Sequence, residues 1–223
     1  MAGLRYLFEN DDWIERAKKA LDEFAVVHLF RERNELPLDF TPDNPNSWST
    51  TLKAQSVVYQ LSTGEVLAEE AATPGGLLRH STSGLAWASR RDIIGEFGLY
   101  DACIIGSGDK AVTAAALGVY DHFAQSLEMN SRRTEHYLTW ARSYFHRIQG
   151  RVGHLPGRVF HLWHGELKDR KHQARHRLFA RFDFDPYTDI ALERNGCWRW
   201  NSDKKEMQAF VRHYFESRKE DGT

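Results

Sequence analysis

With 223 residues, 41% of them hydrophobic and 27% charged, the chain is long enough for one globular domain with a sizeable core and barely long enough for two. A formal net charge of -1 removes any global electrostatic argument for nucleic acid or a membrane, and no run of about 18 apolar residues exists to span a bilayer. Only two cysteines occur, Cys103 and Cys197, which argues against a disulfide framework or a thiolate zinc site; together with an N-terminus that lacks an apolar signal core, they fit a reducing cytoplasm.

Along the chain, Asp11-Asp12-Trp13 opens an expected helix to about residue 24, with Ile14, Ala17, Ala20, Leu21 and Phe24 at helical spacing. Residues 25–30 form a short apolar run that predicts a buried strand. Residues 31–50 hold Pro37, Pro42 and Pro45 among Asn, Asp and Ser, which predicts loop. Residues 52–61 fit helix or strand equally. Thr73-Pro74-Gly75-Gly76 marks a turn. Residues 84–89 predict a strand leading into a helix near Arg90 that stops at Phe97-Gly98, where glycine is a natural cap. A short apolar strand is expected before Gly106, then a small-residue helix over 111–117 that must pack closely on a neighbour. Residues 131–149 read as a longer helix whose apolar face is Tyr137, Trp140, Ala141, Tyr144, Phe145 and Ile148. Residues 152–163 alternate like a strand broken at Pro156-Gly157, residues 168–182 read as a basic helix, and residues 206–216 form the last helix. The mixture predicts one α/β domain over residues 1–223, with few strands and many helices.

Charge is unevenly placed. Between Arg132 and Arg181 twelve Arg and Lys face three acids, an excess of nine, and seven of the eleven histidines fall there too. A solvated face accounts for this, and so does a surface that meets a polyanion such as a diphosphate or a nucleic acid.

Three segments carry candidate chemistry. Gly106-Ser107-Gly108-Asp109 opens a helix: glycines admit close backbone approach, free amides favour anions, and Asp109 is either a cap or a carboxylate held at a pocket floor as a general base or hydroxyl acceptor. The spacing is neither that of a phosphate-binding P-loop nor that of a dinucleotide fingerprint. His161-Leu162-Trp163-His164-Gly165 offers two imidazoles for a borderline metal, although positions three apart on a strand face opposite sides, which leaves room for one ligand. Gly84-Leu85-Ala86-Trp87-Ala88 sets a Trp among small residues, suited to stacking on a sugar or base and equally to a core position.

Taken in order, these segments resemble a family of predicted glycosyltransferases found in bacteria and bacteriophages. The residues that carry the resemblance are 84–91, 98–101, 106–109, 156–165, 168–171 and 184–189, and it covers about residues 7 to 220. That family in turn looks like the GT-A glycosyltransferases, including the galactosyltransferase type. The resemblance implies a GT-A-like mixed sheet with many helices, truncated at the N-terminus, and transfer of a sugar from a nucleotide-sugar donor to an acceptor that is a glycan or a modified nucleic acid. It implies Asp109 as the base or a sugar contact, with Trp87, Gly84, Gly106 and Gly108 lining the substrate. Lys168, Arg170 and Lys171 would approach the diphosphate. His164, or in second place His161, would ligate Mn²⁺ or Mg²⁺, which neutralises the leaving group.

One departure stands out. Phe8-Glu9-Asn10-Asp11-Asp12-Trp13 matches the stretch that follows the family's Asp-x-Asp, so that the metal-binding carboxylates are replaced by Gly3-Leu4-Arg5. The expectation is therefore an acceptor-side portion of the fold, weak or inactive alone, with a second chain as one source of the missing half. The alternative is a non-catalytic remnant that binds a glycan or nucleic acid through the basic helix.

Overall fold

The structure, a computed structural model, describes residues 6–44, 48, 50, 53–64, 81–166, 169 and 174–219. It is mixed α/β. Its spine is a pair of chain segments running side by side in the same direction through two sheets. In the first sheet β2 (Val26–His28) lies parallel to β6 (Val152–His154), with His28 opposite His154, and antiparallel to β5 (Trp87–Ser89), with His28 opposite Trp87. In the second, β3 (Glu32–Glu35) lies parallel to β7 (Arg158–His161), with Glu35 opposite His161. β1 (Tyr6–Phe8) and β4 (Lys53–Gln55) flank this pair and give the order β1-β7-β3-β4. Both segments bend together at residues 29–31 and 155–157, where Pro156 has no N–H to give to a ladder. Two bonds carry the pairing across the bend: Leu155 N donates to His28 O, and Arg31 N donates to Gly157 O.

β3 lies inside the stretch whose prolines predicted loop. Its sequence, Glu-Arg-Asn-Glu, lacks apolar alternation, yet Asn34 is 1% exposed. The polar groups are matched internally instead: Asn34 Nδ2 donates to Glu32 Oε1, and Glu35 Oε2 accepts from His161. The ambiguous stretch 52–61 is both things in turn, β4 and then α2 (Val57–Ser62), whose cap is Ser56 Oγ accepting from Tyr59 N. The strand expected before Gly106 does not form. Residues 102, 103 and 105 are buried there without a ladder partner. The Thr73-Pro74-Gly75-Gly76 turn lies outside the described residues.

Helices pack on this spine in two places. α1 (Trp13–Glu23) lays Ala17 on Val27, Leu29 and Leu155, while Phe8 and Trp13 stack at 4.4 Å. Ile14, expected on the buried face, is 48% exposed. The larger core joins α3 (Arg91–Phe97), α4 (Gly108–Leu117), α5 (Tyr120–Ser126) and α6 (Ser131–Ile148). Ala111, Ala114 and Ala115 in α4 are fully buried, and their small side chains let α6 come close enough for Tyr137 Oη to donate to Ala111 O at 2.8 Å. Burying α4's alanines and α6's Tyr137, Ala141, Tyr144 and Ile148 removes apolar area worth roughly 25 cal/mol per Å². α7 (Ala174–Ala180), a hairpin of β8 (Ile190–Leu192) and β9 (Trp198–Trp200), and α8 (Lys205–Glu216) complete the described chain. Among the described residues no helix is long and apolar enough to cross a membrane.

Candidate functional site

The first cluster is assembled where β2, β5, α2 and α4 meet. His28 ends β2 and is 0% exposed. Its Nε2 lies 2.9 Å from Gly84 O, and a carbonyl can only accept, so Nε2 carries the proton. Nδ1, 2.7 Å from Ser56 Oγ, is therefore the acceptor, and Ser56 in turn accepts from Tyr59 N. Burial holds the imidazole neutral, with its pKa pushed down to about 3. The ring stacks on Trp87 at 4.2 Å and 7°, and the Trp87 indole N–H donates to Ser83 O at 3.0 Å. Thr113 Oγ1 in α4 lies 3.2 Å from the same Ser83 O.

These bonds hold the 81–87 segment in an unusual course. Leu85 has φ +82°, a left-handed conformation that costs an L-residue with a γ-branched side chain about 1–2 kcal/mol. Gly84 beside it carries no side chain for a plain reason: a Cβ there would overlap the Asp109 carboxylate. Asp109 lies in the first turn of α4, and the cap position belongs to Ser107. The carboxylate is exposed and, among the described residues, has no hydrogen-bond or ion-pair partner.

Ser107 does not cap the helix with its side chain either. Its Oγ accepts from Arg175 Nη2 at 3.0 Å and lies 2.9 Å from His176 Nε2, while Arg175 Nη1 donates to Tyr214 Oη at 2.7 Å. A Cβ on Gly106 would stand 3.0 Å from the Arg175 guanidinium carbon. The room expected for a ligand at Gly106 is thus filled by the chain's own arginine. Gly108 begins α4 against Tyr100 O, from which a Cβ would be 3.2 Å.

The second cluster sits at the far end of the spine. His161, 4% exposed, places Nδ1 2.8 Å from Glu35 Oε2. Its Nε2 is buried and, among the described residues, has no hydrogen-bond partner. The His164 ring meets it edge-on with centres 4.3 Å apart, and His164 Nδ1 lies 3.1 Å from Leu162 O. β7 ends at His161, so the strand alternation that would set the two rings on opposite faces does not reach His164. Tyr6 stacks on His161 at 5.1 Å. Burial pushes the Glu35 carboxyl up, but its bond to His161 and the charges of His161, Arg33 and His164 outweigh this, and it titrates below the usual carboxylate range.

The structure thus sets Gly84 against Asp109, ties Trp87 to the same segment through Ser83 and His28, and sets His161 and His164 together. Among the described residues no hydrogen bond or ring contact joins the two groups. Mn²⁺ and Mg²⁺ take several oxygen donors. Glu35, the carboxylate that reaches the histidines, has Oε2 engaged by His161 and Oε1 3.3 Å from Arg33. Asp12, near the chain start, pairs with Arg16 at 2.8 Å. Among the described residues no set of three or more His, Cys, Asp or Glu is arranged around one ion. These residues do not fit a hard divalent ion.

Lys168, Arg170 and Lys171 lie outside the described residues. In the described part of that basic segment Arg175 and His176 are buried. Elsewhere in the basic stretch, acids from other segments approach the arginines: Glu9 at Arg158, Asp92 and Glu96 at Arg147, Asp121 at Arg142, and Asp185 at Arg132. The excess of positive charge is therefore divided over several contacts. Reading the sequence did not find His28, Ser56, Glu35 or Arg175 as parts of these clusters. His28 left one signal, a lone polar residue inside the apolar run 25–30. Comparison with protein-family models, curated proteins and solved structures finds no match.

Proposed function

We propose that the chain is a glycosyltransferase-like protein of the GT-A type that carries the acceptor side of a sugar-transfer site. The observation that carries this reading is the Asp109 carboxylate, unpaired among the described residues and held against Gly84 at the start of α4. A hydroxyl that attacks an anomeric carbon must give up its proton, and a carboxylate at hydrogen-bond distance takes it or orients the lone pair. The segment facing Asp109 is strained at Leu85 and braced by His28 and Thr113, and strain of this kind collects at ligand sites. Trp87, half-buried with its N–H satisfied, adds an apolar ring on the same segment as Gly84, and apolar rings mixed with polar groups are what small polar ligands use.

The donor side is the weaker half. Gly3-Leu4-Arg5 offers no carboxylate, and neither histidine cluster supplies oxygen ligands for Mn²⁺ or Mg²⁺. Nucleotide sugars are expected to bind weakly, with little transfer by the chain alone. The inward turn of Arg175 and His176 gives a nucleic-acid reading of the basic helix no support, so it is not taken further.

Saturation-transfer NMR on the full chain, with saccharides and nucleotide sugars at about 1 mM, tests the proposal at the affinity expected of such a site. The expected result is contact with saccharides that is lost in Asp109→Asn and in Trp87→Ala, with both variants folded by circular dichroism. No saccharide contact in the folded wild type, or contact unchanged in both variants, overturns it.

A further inference from the structure

We infer that the buried guanidinium groups of Arg133 and Arg175 share a small monovalent anion of the halide class, chloride under ordinary conditions, beside Cys103 where α6, α7 and the start of α4 meet. Such a site is independent of the sugar-transfer reading, since it calls for neither a donor nor an acceptor of sugar.

Three observations carry it. First, both cations are inside the protein and neither has a carboxylate. Arg133 is 4% exposed and Arg175 is 8% exposed. Arg175 donates to Tyr214 Oη at 2.7 Å, Ser107 Oγ at 3.0 Å and His176 Nε2 at 3.2 Å, all of them uncharged acceptors. Among the described residues the Arg133 side chain makes no hydrogen bond or ion pair; its guanidinium carbon lies 5.5 Å from the centre of the Phe179 ring. A charge taken out of water without a counter-charge is among the costliest groups a fold can carry. Second, the surroundings of Arg133 do not compensate it. It stands in the first turn of α6, at the positive end of that helix. The ionisable groups that act on it are Cys103 and Tyr100. Burial pushes the Cys103 thiol up to about 12 and raises the Tyr100 phenol, so both are neutral at neutral pH. Third, the two guanidinium groups converge. Phe179, which Arg133 faces, follows Arg175 by four residues in α7 and so lies on the same helix face, about 6 Å further along the axis. The Cys103 thiol accordingly feels the charges of both arginines. Asp101 and Asp109 act on that thiol as well, but both are exposed to water, which screens them.

Burial also selects the class of ion. With both arginines almost closed off, the anion must leave most of its water behind. A halide gives up its hydration shell more readily than phosphate or sulfate, whose several oxygens hold water strongly. The guanidinium N–H groups of Arg133 are donors without acceptors, which suits a spherical ion that accepts from any direction. Gly106 admits the second arginine: a Cβ there would stand 3.0 Å from the Arg175 guanidinium carbon.

The experiment is thermal unfolding of the full chain and of Arg133→Met, with sodium gluconate at about 200 mM exchanged for sodium chloride at constant ionic strength. For an ion held with a Kd of about 10 mM, chloride is expected to raise the wild-type midpoint by roughly 4–7 °C. Arg133→Met is expected to gain less than about 1 °C from chloride and to match or exceed the wild type in gluconate, because methionine fills similar space without a charge. Sodium sulfate is expected to raise both proteins alike, through its exclusion from the surface. Whatever the fate of the variant, a crystal of the wild-type chain grown in bromide is expected to show an anomalous peak in contact with both guanidinium groups. Equal chloride shifts in the two proteins, a wild-type midpoint that does not respond to chloride, sulfate or phosphate stabilising the wild type alone, or a bromide crystal without a peak at this place would each overturn the inference.

Discussion

His28 and His161 make a natural comparison. Each ends a strand of the parallel spine, each is almost wholly buried, and each touches an aromatic ring, Trp87 in one case and Tyr6 in the other. They differ in what the second ring nitrogen meets. Both nitrogens of His28 are bonded, to Ser56 Oγ and Gly84 O, so the ring acts as a brace within the protein. Among the described residues His161 is bonded on one side only, to Glu35, and its other nitrogen has no hydrogen-bond partner although a second imidazole stands beside the ring. Burial alone does not separate the two histidines; the count of satisfied nitrogens does.

The sharpest way to break this comparison is truncation. His28→Ala removes a stacked ring and strands two buried polar groups, and a loss of about 3 kcal/mol or more is expected in urea unfolding. His161→Ala removes a ring with one bond and leaves Glu35 beside Arg33, and a loss of about 1–2 kcal/mol is expected. Equal losses would mean that His161 is as fully built into the fold as His28.

A pH series sharpens the same contrast. The folded chain holds His28 neutral to about pH 3, while the unfolded chain protonates it near its ordinary value of 6.5. Protons therefore favour the unfolded state, and stability falls as the pH drops below 6.5. Between pH 6.5 and about 4.5 this one group should cost the wild type roughly 2–3 kcal/mol relative to His28→Gln. His136, also held low by burial, acts with the same sign in both proteins and cancels in the difference. Parallel stability curves for the two proteins would count against a neutral brace.

Smaller effects are expected at the segment that His28 supports. Gly84→Ala pushes its methyl into the Asp109 carboxylate, which is exposed and can swing away. Stability should change by less than about 1 kcal/mol, while saccharide contact in the NMR assay should drop several-fold because Asp109 is displaced. Leu85→Gly relieves the left-handed backbone, and a gain of up to about 1 kcal/mol in thermal unfolding is expected, accompanied by weaker saccharide contact. A clear loss of stability would show that the Leu85 side chain, and not the course of its backbone, holds the segment.

Local pattern was enough to read much of this protein. The mixed α/β class, α6 with its aromatic face, the close-packing alanines of α4, the strand broken at Pro156-Gly157 and the stop at Gly98 all follow from spacing and chain stiffness within a few residues. The grouping of the candidate side chains was legible in part: Gly84 does lie against Asp109, while His161 and His164, expected on opposite faces of a strand, lie side by side because the strand ends at His161. Tertiary structure alone decided the rest. It made β3 a strand despite its polar sequence, because Asn34 and Glu35 find partners inside the fold. It turned Arg175 inward onto Gly106 and left the apolar stretch before Gly106 without a strand. It also separated the two histidines, since their bonding partners lie 28, 56 and 126 residues away along the chain. Periodicity reports which side of an element is buried. It carries no information about which distant oxygen will face a given nitrogen, and that pairing decides whether a buried histidine has both of its nitrogens bonded.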